Sequence, residues 1–325
     1  MHINKRRLLQ LLATAAFAAP VLAPAQEAFP SRPVRIVVGF PAGSSTDVAA
    51  RVLAQRLGEA SGQQFVVENK PGASSNIAAR TVASAPADGY TLFMGTIANT
   101  INASLLPNNS VDISREFMPV AMVGSVPNVL VAHPSLGVET VQQLIDKAKA
   151  EPNRITYASS GNGTSPHLSG ELFSHMAGVR MLHVPYKGSS PAVVDLLAGQ
   201  VNTMFAPAST ALPHIRAGKL KALASTGPKR SDFAPELPTV EELGLKGFET
   251  SVWFGLNAPL GTPPQVVERL RTLVHAAQDD AQVQSQLKAQ GIELVKAGPK
   301  EYGERIQQET DKWARVIKLA NVKPE

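Results

Sequence analysis

The chain has 325 residues, 44% of them hydrophobic and 5% aromatic, with 31 basic and 26 acidic side chains and no cysteine. That length and apolar content suit a globular protein of two domains, and the lack of cysteine excludes thiol nucleophiles, thiolate metal centres, disulfides and lipidation at a lipobox cysteine. The formal charge of +5 falls to +2 without Lys5, Arg6 and Arg7, which lie in a segment expected to be removed; so small and scattered an excess, with few aromatics, excludes a nucleic-acid surface.

Residues 1–25 read as a cleavable secretory signal. Lys5-Arg6-Arg7 forms the basic start, and Leu8 to Ala19 is an apolar run shorter than the ~20 residues that span a bilayer. Ala23-Pro24-Ala25 supplies a small-x-small cleavage site before Gln26. Arg6-Arg7 matches a twin-arginine signal only loosely, so the general secretory route is preferred. No later stretch is apolar for long enough to form a membrane helix. The expectation is a freely diffusing protein in the periplasm of a Gram-negative bacterium.

The mature chain opens on Val34 to Leu57, a β-branched strand, a turn at Gly39 to Gly43, and a helix that Ser44, Ser45, Thr46 and Asp47 can cap. A second strand is expected over Gln63 to Glu68. The turn Asn69 to Asn76 follows, then a helix through Ile77, Ala78 and Val82. After the turn Pro86 to Gly89, Tyr90 to Gly95 forms a third strand, and Thr96 to Asn99 opens onto another helix. Repeated strand–helix units imply a largely parallel sheet whose ligands sit beyond the strands' carboxyl ends.

Phe117 to Gly124 and Asn128 to His133 read as two extended runs, interrupted at Ser125-Val126-Pro127, where the chain first crosses between domains. A second series follows. It comprises a helix over Val141 to Ala148, a strand from Ile155 to Ser159, the turn Ser160 to Pro166, and a helix through Leu168, Leu172 and Met176. Strands at Met181 to Pro185, Val201 to Ala206 and Leu220 to Ser225 alternate with helices through Val193 to Leu197 and Thr210 to Ala217. Thr250 to Ala258 is the return crossing. The remainder is mostly helical, with a helix from Pro263-Pro264, a short strand at Ile292 to Val295, and a last helix from Pro299 through Trp313 to Ile317. Crossing out and back makes the first domain discontinuous: residues 26–126 with 254–325, and 127–253 for the second.

Neither glycine-bearing turn carries a full dinucleotide fingerprint or a Walker lysine. No G-x-S-x-G elbow is present, which speaks against serine catalysis. His167 and His175 stand eight apart, off any helical ligand spacing, so no metal site is expected; His167 is expected to pack or to lend a hydrogen bond near the cleft. Asp47 is the one acid with a site role, either capping or touching ligand. Two helix N-termini of one type, one in each half, can face each other across an anion and hold a carboxylate through main-chain N–H groups without an arginine.

Several motifs together resemble the Bug (TctC-type) extracytoplasmic solute receptors. They are Phe40-Pro41-Ala42-Gly43 with Asp47 and Ala50-Arg51, Glu68-Asn69 with Pro71-Gly72-Ala73, and Asp88-Gly89-Tyr90-Thr91-Leu92. Val184-Pro185-Tyr186-Lys187-Gly188 and Trp253-Phe254-Gly255 with Ala258-Pro259 complete the ordered series. The resemblance implies an α/β, two-domain periplasmic binding protein fold of type II (Venus-flytrap), each domain a mixed sheet flanked by helices, with the ligand in the interdomain cleft. It implies no cofactor, metal or catalysis. The implied ligand is a small organic acid (a dicarboxylate, aromatic carboxylate or acidic amino acid), and the implied partners are the membrane subunits of a tripartite tricarboxylate transporter, served by a monomer. By position, the resemblance places ligand contacts on Phe40, Ala42, Gly43, Ser44, Ser45, Thr46 and Asp47, on Asn76 and Thr96, and on Asn162, Gly163, Thr164, Ser165 and Tyr186. The chain departs from the family pattern at Ser44 and at Ser74-Ser75, where glycines are common. A ligand-presenting sensory receptor or a secreted α/β enzyme would be the alternatives.

Overall fold

A computed structural model describes residues 29–106, 111–319 and 322–323; the expected signal segment lies outside them. The first half builds β1 (Val34–Val38), α1 (Ser45–Ser61), β2 (Phe65–Asn69), α2 (Asn76–Ala83), β3 (Thr91–Thr96) and α3 (Ile97–Leu105). A short helix, α4 (Ile113–Glu116), leads into β4 (Phe117–Ala132). Then come α5 (Val141–Ala150), β5 (Thr156–Ser159), α6 (Ser165–Ala177), β6 (Leu182–Pro185), α7 (Ser189–Leu197), β7 (Thr203–Pro207), α8 (Ala208–Arg216) and β8 (Lys221–Ser225). The chain closes with β9 (Ser251–Pro259), α9 (Pro264–Asp279), α10 (Ala281–Ala289), β10 (Glu293–Ala297) and α11 (Pro299–Leu319).

The two runs expected around residues 117–133 are one 16-residue strand. Its Phe117 to Pro127 portion pairs antiparallel with β9, and Asn128 to Ala132 pairs with β7 and β8. Pro127 falls where the ladder changes partner, the position at which a residue without N–H costs least. Bulges at Pro119/Ala121 and Met122/Gly124 accommodate the bend. Two further elements were not expected: α4, and the separation of α9 from α10, where Asp280 leaves the helix (φ −74, ψ 125) and accepts from the N–H groups of Gln282 and Val283.

Strand order is β2-β1-β3-β9-β4-β7-β5-β6, with β10 and β8 also on β4. β1 lies parallel to β2 and β3, and β5 lies parallel to β6 and β7. On β1, Val34, Ile36 and Val38 pack toward α1, α9 and α10, while Val37 packs toward α2, α3 and α11. That two-sided burial is why the strand reads as a continuous β-branched run. Around β5 and β7 a separate core gathers Tyr157, Phe173, Phe205 and Phe248 against α5. Trp253 and Phe254 are fully buried core residues on opposite faces of β9. Among the described residues no helix is long and apolar enough to cross a membrane.

Gly255 on β9 leaves room for the buried Tyr302 ring, whose hydroxyl accepts from Asn257 Nδ2 at 3.0 Å. A methyl at that position would run into the ring. Gly255→Ala is expected to cost about 1–2 kcal/mol in thermal or urea unfolding, as overpacking of a filled core does; wild-type stability would show that the ring has space to move.

Candidate functional site

Five strands, β1 and β3 running one way and β5, β6 and β7 the opposite way, open at their carboxyl ends into helices: β1 to α1, β3 to α3, β5 to α6, β6 to α7 and β7 to α8. All five helix N-termini meet at one cavity of about 30 Å³. Its wall contains Ser44, Ser45 and Thr46 from α1; Thr96, Ile97 and Ala98 from α3; Thr164, Ser165 and Pro166 from α6; Ser189 from α7; and Pro207 from α8. Phe40, Ser160 and Val252 complete it, and no Asp, Glu, Lys or Arg lines it. Each helix end carries roughly +0.5 of an elementary charge from its unpaired N–H groups. The wall is therefore positive without containing a cation.

The capping pattern shows which N–H groups remain. Ser44 Oγ accepts from Asp47 N at 3.3 Å, and Thr96 Oγ1 accepts from Ala98 N at 3.2 Å. No side chain caps α6, α7 or α8. Within the β1–α1 turn, Gly43 N–H donates to Asp47 Oδ2 at 2.9 Å and Ser44 N–H to the Pro41 carbonyl at 3.2 Å, so neither is left for a ligand. The N–H groups of Ser45 and Thr46, at the first two helical positions, have no partner among the described residues.

Asp47 holds this turn together. Besides Gly43 N–H, its carboxylate accepts from Arg51 Nε at 3.0 Å and from Asn69 Nδ2 at 2.8 Å, and Asn69 also donates to the Phe40 carbonyl. Burial raises its carboxyl pKa, but the hydrogen bonds from Arg51, Gly43 and Asn69 outweigh this and leave it below the ordinary carboxylate value. With its oxygens so occupied, Asp47 acts through the turn. Asp47→Asn is expected to lower stability by about 1–2 kcal/mol, less than for a buried ion pair because the Arg51 side chain is half exposed. Unchanged melting would show that the turn holds without the charge.

The loop before α6 is fixed by two imidazoles. Gly163 N–H donates to His167 Nδ1 at 3.1 Å, and Gly161 N–H to Ser159 Oγ, which meets His183 Nε2 at 2.6 Å. The two rings stack with centroids 4.1 Å apart, and His183 also stacks on Tyr157. Burial lowers the His167 pKa to about 3, with the neighbouring His183 adding to the effect, and burial lowers that of His183 to about 4. Both are neutral near pH 7.

Beyond the small cavity lies a larger one of about 330 Å³, lined by Gly39 to Pro41, Pro71 to Ser74, Leu106, Ser160 to Asn162 and Pro185 to Lys187. Phe40 and Ser160 belong to both cavities. Tyr186 lines the outer one and donates its hydroxyl to Asp195 Oδ2 at 2.8 Å; burial first, then the Asp195 carboxylate, raises its pKa to about 12.

Of the residues singled out from the sequence, Phe40, Ser44, Ser45, Thr46, Thr96, Thr164 and Ser165 meet at the inner cavity, and Asn162 and Tyr186 line the outer one. Ala42 and Gly43 are exposed on the turn. Asp47, Gly163 and His167 support the loops without lining either cavity. Asn76 points elsewhere: its Oδ1 accepts from Val111 N at 3.4 Å. Ser74, singled out as a departure from the family pattern, lines the outer cavity; Ser160, Ser189 and Pro207 were not anticipated. Ser189 and Pro207 follow from the same rule as Ser45, applied to the strands β6 and β7.

A profile described as "Tripartite tricarboxylate transporter family receptor" matches residues 49–322. Protein BugT of Bordetella pertussis is 39% identical over 327 residues, covering 99% of each chain. The structure of Rpa4515 from R. palustris, solved with adipate, superposes with a TM-score of 0.88 at 38% identity, over 91% of this chain and 100% of that one. MatC from Rhodopseudomonas palustris with bound malate gives 0.84 at 31% identity, over 89% and 100%. The architecture is thus the two-domain periplasmic binding protein fold, and this chain belongs to the tripartite tricarboxylate transporter receptor family.

Proposed function

We propose that this protein is a periplasmic receptor that captures a small organic carboxylate between two lobes and delivers it to a tripartite tricarboxylate-type transporter. The observation that carries this reading is the convergence of five helix N-termini, from both halves of the chain, on one cavity lined by no charged side chain. A cavity of about 30 Å³ accommodates roughly two water-sized atoms, which is the size of a carboxylate's two oxygens. The head group sits there, gripped by the N–H groups of Ser45 and Thr46 and by the ends of α6, α7 and α8. The rest of the ligand extends past Phe40 and Ser160 into the outer cavity, which suits a dicarboxylate. Relatives solved with adipate and malate support the ligand class.

The lobes are residues 26–126 with 254–325, and 127–253, joined by β4 and β9. So small an inner cavity corresponds to a closed cleft, and ligand entry requires hinge opening about these strands. Purified mature protein, screened by thermal shift against malate, adipate, benzoate and glutamate, is expected to melt several degrees higher with one of the carboxylates at saturation. If none shifts the melting temperature, the receptor assignment falls.

A further inference from the structure

The segment between β2 and α2 contains three consecutive non-glycine residues with left-handed backbone: Ala73 (φ 44), Ser74 (φ 49) and Ser75 (φ 77). L-residues visit this region singly, because Cβ crowds the following carbonyl; a run of three is costly unless something holds it. Three contacts hold this one. The Ser74 carbonyl accepts from Asn102 Nδ2 of α3 at 2.9 Å. Ser75 is fully buried against the end of β1, with its Cα 2.6 Å from where a Cβ on Gly39 would stand. Ser74 Oγ donates to the carbonyl of Asn162, on the loop before α6 in the other lobe. The facing loop is shaped for this approach. Gly161 and Gly163 both have positive φ, a Cβ on Gly163 would collide with Asn102 Oδ1, and one on Gly161 would touch Ser74 Oγ at 3.6 Å.

We infer that Ser74 is a positioning residue: a latch that crosses the mouth of the cleft in the closed form and sets how long a bound carboxylate is retained. The Asn162 carbonyl it holds lies two residues from the Thr164 cap of α6, so the latch aligns that helix end with α1 across the inner cavity. The left-handed run is the cost of reaching across, and the Ser74 hydroxyl offsets it only while the lobes are closed. Of the three contacts only the Ser74–Asn162 bond crosses the lobes. Opening loses it, leaves Ala73 to Ser75 held by Asn102 and the Gly39 packing alone, and lets part of the backbone strain relax, which biases the chain toward letting ligand go. The inference rests on the carboxylate-receptor reading above.

The test is stopped-flow binding of malate or adipate, whichever the wild-type protein binds, to the wild type, Ser74→Ala, Ser74→Gly and Ser45→Pro. Ser74→Ala keeps the strain and loses the bond, so ligand should dissociate about tenfold faster, with association within twofold and ligand-free melting unchanged. Ser74→Gly loses the bond and with it the strain at the central residue of the run, so dissociation should quicken by only about threefold. Equal rates for the two variants would remove the strain from the account. A wild-type dissociation rate in Ser74→Ala, with Ser45→Pro impaired, would overturn the latch and leave the receptor standing; failure of the wild type to bind any carboxylate would overturn both.

Discussion

Replacing Ser45 by proline is expected to weaken carboxylate binding by about 10- to 150-fold while leaving the fold intact. The substitution removes one N–H from the wall of the inner cavity. A hydrogen bond to a charged group contributes about 1.5–3 kcal/mol, which is that range of affinity. The site tolerates proline for two reasons. Ser45 is the first helical residue, where the N–H has no intrahelical partner and a fixed φ near −65° suits the helix. Ser44 before it is extended (φ −71, ψ 158), the conformation that a following proline demands. Ser45→Ala, which retains the N–H, separates main chain from side chain and should bind nearly as well as wild type. Calorimetric titration reads both. Unchanged affinity in Ser45→Pro would mean that the head group is held elsewhere.

The second large effect is an acid destabilisation above pH 5. His167 and His183 have folded-state pKa values lowered to about 3 and about 4, against about 6.5 in the unfolded chain. A base held neutral by the fold contributes nothing to pH dependence above its unfolded pKa. As pH falls below about 6.5 the unfolded state binds protons that the folded state refuses, and stability is lost until the folded pKa is reached. Between pH 7 and pH 5 each imidazole forfeits up to about 2 kcal/mol, so the stacked pair loses about 2–4 kcal/mol. Asp47 does not contribute in this window: its pKa is depressed, so its share is full above about 3.9 and lost only at lower pH. Urea unfolding at pH 7, 6 and 5 should show the fall, and His167→Gln with His183→Gln should flatten it. In the folded protein His167 stays neutral over this window and goes on accepting from Gly163 N–H, so the loss appears as global unfolding, not as a local loosening of the loop before α6. Equal stability at pH 7 and pH 5 would contradict it.

Much of this architecture is legible in the sequence because its signals are local. A β-branched run marks β1, and Gly, Ser, Thr and Pro punctuation follows each of the five strands whose junctions form the inner cavity. The functional residues that escaped are those set by long-range geometry. Ser189 and Pro207 belong to junctions whose cap positions hold Gly188 and Pro207 instead of a hydroxyl or amide residue, so their local pattern resembles an ordinary turn. Ser74 reaches Asn162 across 88 positions of sequence. The pairing of His167 with His183 joins a helix to a strand, a contact that no spacing within one element reveals. Asn76 shows the converse: an asparagine at a capping position beside the cleft whose side chain turns to Val111. The strand break expected at Ser125 to Pro127 failed for a related reason, since a proline within one long strand is tolerated where its hydrogen-bonding partner changes.

The most direct test of the central claim is a crystal structure of the protein with malate or adipate bound. The account predicts one carboxylate within hydrogen-bond distance of the main-chain N–H groups of Ser45, Thr46 and Ser165, with no lysine or arginine nitrogen within about 4 Å of it. A carboxylate paired instead with Lys187 in the outer cavity, with the helix ends bare, would contradict it.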